Sequence, residues 1–155
     1  MNENLDLLND WHRRSRESQH AHFESAKYLS RHNYYLGVPV VFLTSITGTS
    51  IFATLESEPE ILFKVLVGVI SVFSAILAGL QTFLRYSERS EKHKIAGAKY
   101  GALRREIEFL RTTKSVKEQA LKSMMSRLNQ LSTESPEISE KIWKKVEKNL
   151  QGSEG

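Results

Sequence analysis

Two uncharged segments of 20 residues each, Leu36–Leu55 and Val65–Leu84, limit most strongly what this chain can fold into. A helix rises about 1.5 Å per residue, so each segment is long enough to cross the roughly 30 Å hydrocarbon core of a bilayer. The sequence between Leu55 and Ile61 is Glu-Ser-Glu-Pro-Glu, whose three carboxylates belong in water. A loop this short makes its flanking helices antiparallel neighbours. The sequence therefore predicts a two-span membrane hairpin.

A soluble bundle with two buried helices is the alternative fold for these segments. Burying two consecutive uncharged helices requires a large shell of other elements around them. The flanking segments are charged and amphipathic, and they lower the mean hydropathy of the whole chain to −0.37. They cannot supply such a shell, so the membrane hairpin is favoured.

We predict an all-α membrane protein, a two-span transmembrane helical hairpin with cytosolic helices packed as a coiled-coil-like bundle. Gly37-Val38-Pro39 is predicted to separate the N-terminal helix from the first span, because the first turn of a helix tolerates proline. No breaker follows Leu84, so the second span is predicted to continue into a long cytosolic helix. The predicted segments are an N-terminal cytosolic helix (1–34), the first span (35–55), an outward-facing acidic loop (56–60), the second span (61–84), its cytosolic extension (85–112), and C-terminal cytosolic helices with a tail (113–155).

A heptad-like stripe runs along the predicted extension of the second span. It begins at Tyr86 and ends at Leu110, with alternating spacings of three and four residues. A second stripe of the same kind lies between Leu121 and Leu131. Both stripes predict partner helices. They either pack against residues 1–32 and against each other, or also contact further copies of the chain.

Two signals predict helix starts in the C-terminal region. Ser115 and Glu118 have the spacing of a capping box, in which a hydroxyl and a carboxylate satisfy free backbone N–H groups. This box predicts a helix from 116 to about 131. Ser135-Pro136 predicts the start of a last helix, from 136 to about 150.

Lysine and arginine are unevenly placed around the two spans. Five lie within residues 13–32 and seven within 85–105, but none lies within 56–60. Positive residues stay on the cytoplasmic side during insertion, so both termini are predicted to be cytoplasmic. A nucleic-acid surface is disfavoured, because glutamates interrupt the basic residues of 85–105 and no one-signed face forms. Contact with anionic lipid headgroups is the simpler explanation of these charges.

The sequence has no pattern that predicts catalysis. The chain has no cysteine, which removes disulfides, thiolate metal sites and cysteine nucleophiles. Motifs of phosphate-binding glycine-rich loops, zinc proteases and serine hydrolases are absent. We therefore predict a protein that is not an enzyme, with no catalytic residue, metal site or cofactor.

Small and hydroxyl-bearing residues form candidate packing surfaces on the two spans. The first span is rich in hydroxyls, and the second has small residues at helical spacing, which let helix backbones approach closely. These stripes either face each other within one hairpin or line a contact or pore between copies. The candidate pore or helix-packing residues are Thr44, Ser45, Gly48, Thr49, Ser71, Ala75, Gly79 and Thr82.

One face of the predicted cytosolic helix carries a candidate ligand or interface site. His93 and Tyr100 lie two helical turns apart, with Arg104 one turn beyond and Arg89 one turn before. Aromatic, imidazole and guanidinium groups together suit a phosphate-bearing ligand. A polar lining of a helix interface is the alternative interpretation.

The order and spacing of several short motifs resemble the SLATT family. The resemblance covers roughly residues 10–130. The matching pieces are Trp11, Ala26-Lys-Tyr28, Leu36-Gly-Val-Pro39, Ile46-Thr-Gly-Thr-Ser-Ile-Phe52, Ala78-Gly-Leu-Gln-Thr-Phe-Leu84, Glu88-Arg-Ser-Glu-Lys-His93, Ala98-Lys-Tyr100 and Leu103-Arg-Arg-Glu106.

The resemblance implies a bacterial effector of antiviral or conflict systems. Members of this family occur beside synthases of nucleotide second messengers, and are thought to oligomerise and perforate the inner membrane once triggered. The implied partners are the lipid bilayer, further copies of the chain, and either a nucleotide second messenger or a partner sensor or synthase, with no nucleic acid. A non-lytic membrane scaffold that recruits cytosolic partners is the alternative function. A transporter is disfavoured, because neither span has an ionisable residue near its centre.

Overall fold

The computed structural model describes residues 3–53, 59–113 and 116–151, and these residues form helices without any strand. The acidic loop and Ser115 of the predicted capping box therefore lie largely outside the described residues. The helices are α1 (Glu3–Ala53), α2 (Ile61–Leu84), α3 (Tyr86–Thr112), α4 (Glu118–Glu134) and α5 (Glu140–Gln151).

Helix α1 continues through Pro39, so the predicted break at Gly37-Val38-Pro39 is wrong. Proline lacks an N–H, and inside a helix it removes one backbone hydrogen bond and crowds the preceding turn. Its φ angle remains helical. The residues after Pro39 are apolar and offer no polar side chain beyond hydroxyls to replace backbone hydrogen bonds. The helix is thus the conformation that satisfies most of the backbone on both sides of the proline.

The predicted continuity between the second span and the cytosolic helix is broken at one residue. Arg85 has φ 47° and ψ 38°, the left-handed conformation, and it ends α2. Tyr86 begins α3 immediately afterwards. The left-handed region costs a non-glycine residue roughly 1–2 kcal/mol. An ion pair between Arg85 and Glu88, in the first turn of α3, accompanies this conformation.

The last two helices begin later than their sequence signals predict. Helix α4 starts at Glu118, and the side chain of the preceding Lys117 makes no capping hydrogen bond. Helix α5 starts at Glu140 rather than at Pro136, and in its first turn the backbone amides of Ile142 and Trp143 both donate to the carbonyl of Ser139.

By its internal contacts the chain divides into two units. The charged unit comprises Met1–Tyr28 and Arg89–Gly155, and the apolar unit comprises Leu29–Glu88. Helix α1 contributes residues to both units as one uninterrupted helix.

Two apolar clusters form the core of the charged unit. Both lie between α1 and the helices of the C-terminal half. Five of the eight buried residues of α3 belong to the stripe predicted from its spacing, whereas Arg89, in the membrane-proximal part of that stripe, is exposed. The first cluster contains Leu8, Trp11, Leu103, Ile107 and Leu121, and the second contains Ala21, Ile142 and Val146.

The apolar unit contains two helices that are long and apolar enough to span a membrane. Gly37, in α1, lies against the amide of Gln81 near the end of α2, so the two helices are antiparallel in this unit. Almost none of the residues in the apolar segments is buried by the chain itself. The most exposed large apolar side chains of this unit are Phe52, Ile61, Leu62 and Phe83.

Candidate functional site

A pair of histidines is buried between α1 and α3 in the charged unit. The Nδ1 atoms of His22 and His93 lie 3.0 Å apart, and the two side chains are 2% and 5% exposed. The ring of Tyr100 stacks on that of His22, with centroids 5.5 Å apart and an angle of 18° between the planes. At this distance one Nδ1 donates a proton to the other, so the pair is hydrogen-bonded when both rings are neutral.

Small residues bring the two helix backbones close enough to bury this pair. The hydroxyl of Ser90 donates to the backbone carbonyl of Ala26 across the helix interface, at 2.9 Å. A Cβ atom added to Gly97 would lie 3.2 Å from the ring of Phe23. A larger residue at Gly97 would force that ring to move. The interface therefore depends on a small-residue face of α3.

Burial disfavours the charged form of both histidines. Desolvation, and then the neighbouring His93, lower the pKa of His22 from 6.5 to about 4. Desolvation, and then the charge of Arg89, lower the pKa of His93. Burial raises the pKa of Tyr100. All three side chains are therefore neutral near pH 7, and the arrangement is chemically a proton-sensitive contact between two helices.

The structure brings together two of the four residues that the sequence proposed as a cytosolic site. His93 and Tyr100 meet at the buried pair. Arg89 is exposed and lines a neighbouring cleft. Arg104 is half-buried, and its Nε lies 3.5 Å from a carboxylate oxygen of Glu108.

Sequence reasoning missed His22, the partner that completes the pair. A signal for it exists in α1, because Leu8, Ser15 and His22 are all buried and follow one another at intervals of seven residues. A heptad position of this kind predicts a core-facing side chain. Considering the histidines only within their own helix overlooks the contact with α3.

The hydroxyls of the apolar unit bond within their own helices. Thr44 donates to the carbonyl of Val40 at 2.8 Å, and Ser71 donates to the carbonyl of Val67 at 2.8 Å. Ser45, Thr49 and Thr82 each donate in the same way to the carbonyl four residues earlier. These hydroxyls therefore need no partner helix to be satisfied, and on their own they do not favour a hydroxyl-lined pore.

The small residues of the apolar unit are open rather than packed. Among the described residues, no side chain and no neighbouring helix comes within 4 Å of a Cβ added at Gly48, Gly68 or Gly79. Ala75 is exposed, and Ser74 rather than Ser71 is the buried residue of α2. The two predicted stripes thus do not close on each other at their glycines within one chain.

Comparison with known protein families, with curated proteins and with solved structures gives no match to this chain. Among the described residues, no group of three or more histidine, aspartate or glutamate side chains is arranged to hold a metal ion.

Proposed function

We propose that this chain is a two-span membrane effector of a bacterial anti-phage or conflict system. In this proposal the apolar unit inserts into the inner membrane with both termini in the cytoplasm. Copies of the chain then assemble and perforate the membrane when a nucleotide second messenger or a partner sensor or synthase engages the charged unit. The observation that carries the proposal is the uncovered apolar surface of α1 and α2.

Membrane insertion is supported by the exposure of side chains that water disfavours. Val41 and Phe42 on α1 are 66% and 65% exposed, and Phe83 on α2 is 81% exposed. Burying each such side chain is worth roughly 1.5–3 kcal/mol, and a bilayer supplies that burial along the whole length of both helices. The internally bonded hydroxyls lower the cost of placing Thr44 and Ser71 in hydrocarbon.

Assembly of several copies is supported by the open glycines. Gly48 and Gly79 leave gaps on the helix surface where a second backbone can approach closely, which is how helices associate in lipid. The resemblance to SLATT effectors suggests that the associated form is the one that damages the membrane.

Control by the charged unit is supported by the continuity of α1. Because α1 is one helix through Pro39, the half of it that packs in the charged unit and the proposed first span belong to the same element. The buried histidine pair lies in that N-terminal half, at the contact with α3.

The double variant Gly48→Leu with Gly79→Leu tests the assembly step. Within the described residues a Cβ added at either position meets no atom within 4 Å, so we expect the hairpin itself to fold normally. We expect self-association in nanodiscs to weaken about tenfold, which corresponds to roughly 1.4 kcal/mol, because the leucines hold apart helix backbones that small residues allow to approach closely. In bacterial cells the variant should no longer depolarise the membrane or arrest growth. Val41→Leu with Val72→Leu, which enlarges two exposed side chains outside the glycines, is the matched control.

The same variants separate the effector from the scaffold alternative. Exposed Ile95 and Phe109 on α3 favour a scaffold, since they offer an apolar surface to cytosolic partners. A scaffold would continue to recruit partners when both glycines are replaced, and it would leave the membrane potential unchanged throughout. If wild-type protein that is inserted and supplied with candidate cyclic nucleotides never changes the potential, the effector proposal is wrong.

A further inference from the structure

A cleft in the charged unit is lined by positively charged side chains of α3 and by the non-helical segment before α5. Its volume is about 380 Å³, within the roughly 300–1,000 Å³ usual for small-molecule sites. It lies between the first turns of α3 and the segment that precedes α5. The lining residues are Arg89, Lys92, His93, Pro136, Glu137 and Ser139.

Arg89 distinguishes this cleft from its neighbours. Three other clefts of the same unit contain cations that already pair with carboxylates, and Lys99 with Glu134 is an example at 3.6 Å. Arg89 is exposed and forms no ion pair with any residue in the described part of the chain. Its guanidinium is therefore available as a planar, fork-shaped donor, the group best suited to bind two oxygens of one anion.

The remaining lining residues favour an anion beside Arg89. Lys92, one turn further along α3, also lines the cleft, and Glu137 is the carboxylate among its lining residues. Ser139 contributes a hydroxyl. Helix α5 begins at Glu140, directly after Ser139, so the positive end of its dipole lies at the same edge.

We propose that this cleft binds a phosphate group, held by the guanidinium of Arg89 and the ammonium of Lys92. The group belongs either to the headgroup of an anionic lipid or to a soluble phosphate compound, which share this chemistry. Arg89 is five residues beyond Leu84, the last residue of apolar α2, so a headgroup is close by if α2 spans the membrane. Binding of a lipid headgroup rests on the proposed function, because it requires α2 to span the membrane. Binding of a soluble phosphate compound in the cleft does not.

Binding of a phosphate group at Arg89 would alter the buried histidine pair. The charge of Arg89 lowers the pKa of His93, and an anion beside the guanidinium offsets that charge. The pKa of His93 then rises by the part that Arg89 contributes, while desolvation, the larger cause, continues to lower it. Binding in the cleft therefore changes the pKa of a histidine at the contact between α1 and α3.

The test uses the full chain and its two tryptophans, Trp11 and Trp143, which both lie in the charged unit. Thermal unfolding is followed by tryptophan fluorescence in neutral detergent, with inorganic phosphate or with chloride at equal ionic strength. A second arm uses nanodiscs of phosphatidylcholine, alone or mixed equally with phosphatidylglycerol. The ring resonances of His93 are followed by NMR in both arms.

Arg89→Gln is compared with Arg105→Gln, which removes the same charge from an exposed position of α3 outside the cleft. We expect phosphate or phosphatidylglycerol to stabilise the wild type saturably and to shift the His93 resonances. Arg89→Gln should weaken the apparent affinity about tenfold, as expected for loss of a charge-assisted bidentate contact. Arg105→Gln should change it less than about twofold.

An effect confined to inorganic phosphate identifies a soluble ligand, and one confined to phosphatidylglycerol identifies a lipid. The detergent arm remains valid if the chain fails to insert, so it tests the cleft separately from the proposed function. If Arg89→Gln does not fold, Arg89→Lys keeps the charge and should retain part of the affinity. Equal behaviour of Arg89→Gln and Arg105→Gln in both arms, or no saturable effect on the wild type, overturns the proposal.

Discussion

Acidification from pH 6.5 to about pH 4 is expected to destabilise the charged unit by about 3 kcal/mol through His22 alone. The pKa of His22 is lower in the folded chain than in the unfolded chain, so the unfolded state binds the proton first as the pH falls. The contribution of His22 to the free energy of unfolding is fully present above pH 6.5. It decreases as the pH falls toward the folded-state pKa of about 4. The lowered pKa of His93 adds to the loss in the same direction.

The environment of the pair explains why protonation cannot be accommodated. No carboxylate in the described part of the chain is hydrogen-bonded to either imidazole, and the two rings face each other. The other groups close by are the neutral Tyr100, stacked on His22, and the cation Arg89, whose charge disfavours a protonated His93. A charged imidazole therefore remains buried without a counter-ion unless the contact between α1 and α3 opens.

Urea unfolding at several pH values, followed by tryptophan fluorescence, measures this effect. Because carboxylates elsewhere also titrate, the informative quantity is the change caused by His22→Gln, which should flatten the dependence of unfolding free energy between pH 6.5 and pH 4. His20→Gln, two residues earlier and exposed, is the matched control and should leave the slope unchanged. Equal slopes for His22→Gln and the wild type would show that the pair does not sense protons.

Periodicity and composition predict the helices of this chain better than their ends. Helix α3 ends at Thr112, where the heptad stripe and the predicted cytosolic extension also end, whereas the end of α2 at Leu84 interrupts a helix that was predicted to be continuous. Pro39 and Arg85 mislead, for opposite reasons. Pro39 predicts a break, but the long apolar helix α1 continues through it. Arg85 adopts a left-handed conformation although it is neither glycine nor asparagine, the residues that usually indicate one.

For the candidate sites, too, the sequence predicts what lies along one helix better than what depends on the packing of two helices. Spacing along one helix predicts that His93 and Tyr100 share a face, and the structure places both beside His22. The partner histidine depends on which two helices pack together, and that is decided by small residues such as Ser90 and Gly97 rather than by the imidazoles. Similarly, whether another helix packs against Gly48 and Gly79 depends on where α1 and α2 contact each other. The spacing of small residues does not determine that contact.

Lysine in place of Val72 is expected to remove the chain from the membrane. Val72 lies at the middle of α2 and is 60% exposed in the isolated chain. A lysine there is about 18 Å from either end of the helix, too far for its side chain to reach the interface. Replacing a valine by a lysine at the centre of a span costs about 3 kcal/mol, which corresponds to a loss of about a hundredfold in the inserted fraction.

Leu62→Lys provides the matched control, because Leu62 is also exposed but lies in the first turn of α2, beside the native Lys64. A lysine at that end extends to the headgroup region and should leave insertion nearly unchanged. Extraction of bacterial membranes with alkaline carbonate measures the inserted fraction of the wild type and of both variants. If the exposed face of α2 instead docks on a soluble partner, the wild type itself is extracted and the two lysines do not differ in this assay. A lower inserted fraction for Val72→Lys than for Leu62→Lys would therefore show that a bilayer surrounds the apolar unit. This test does not depend on any pore, trigger or ligand.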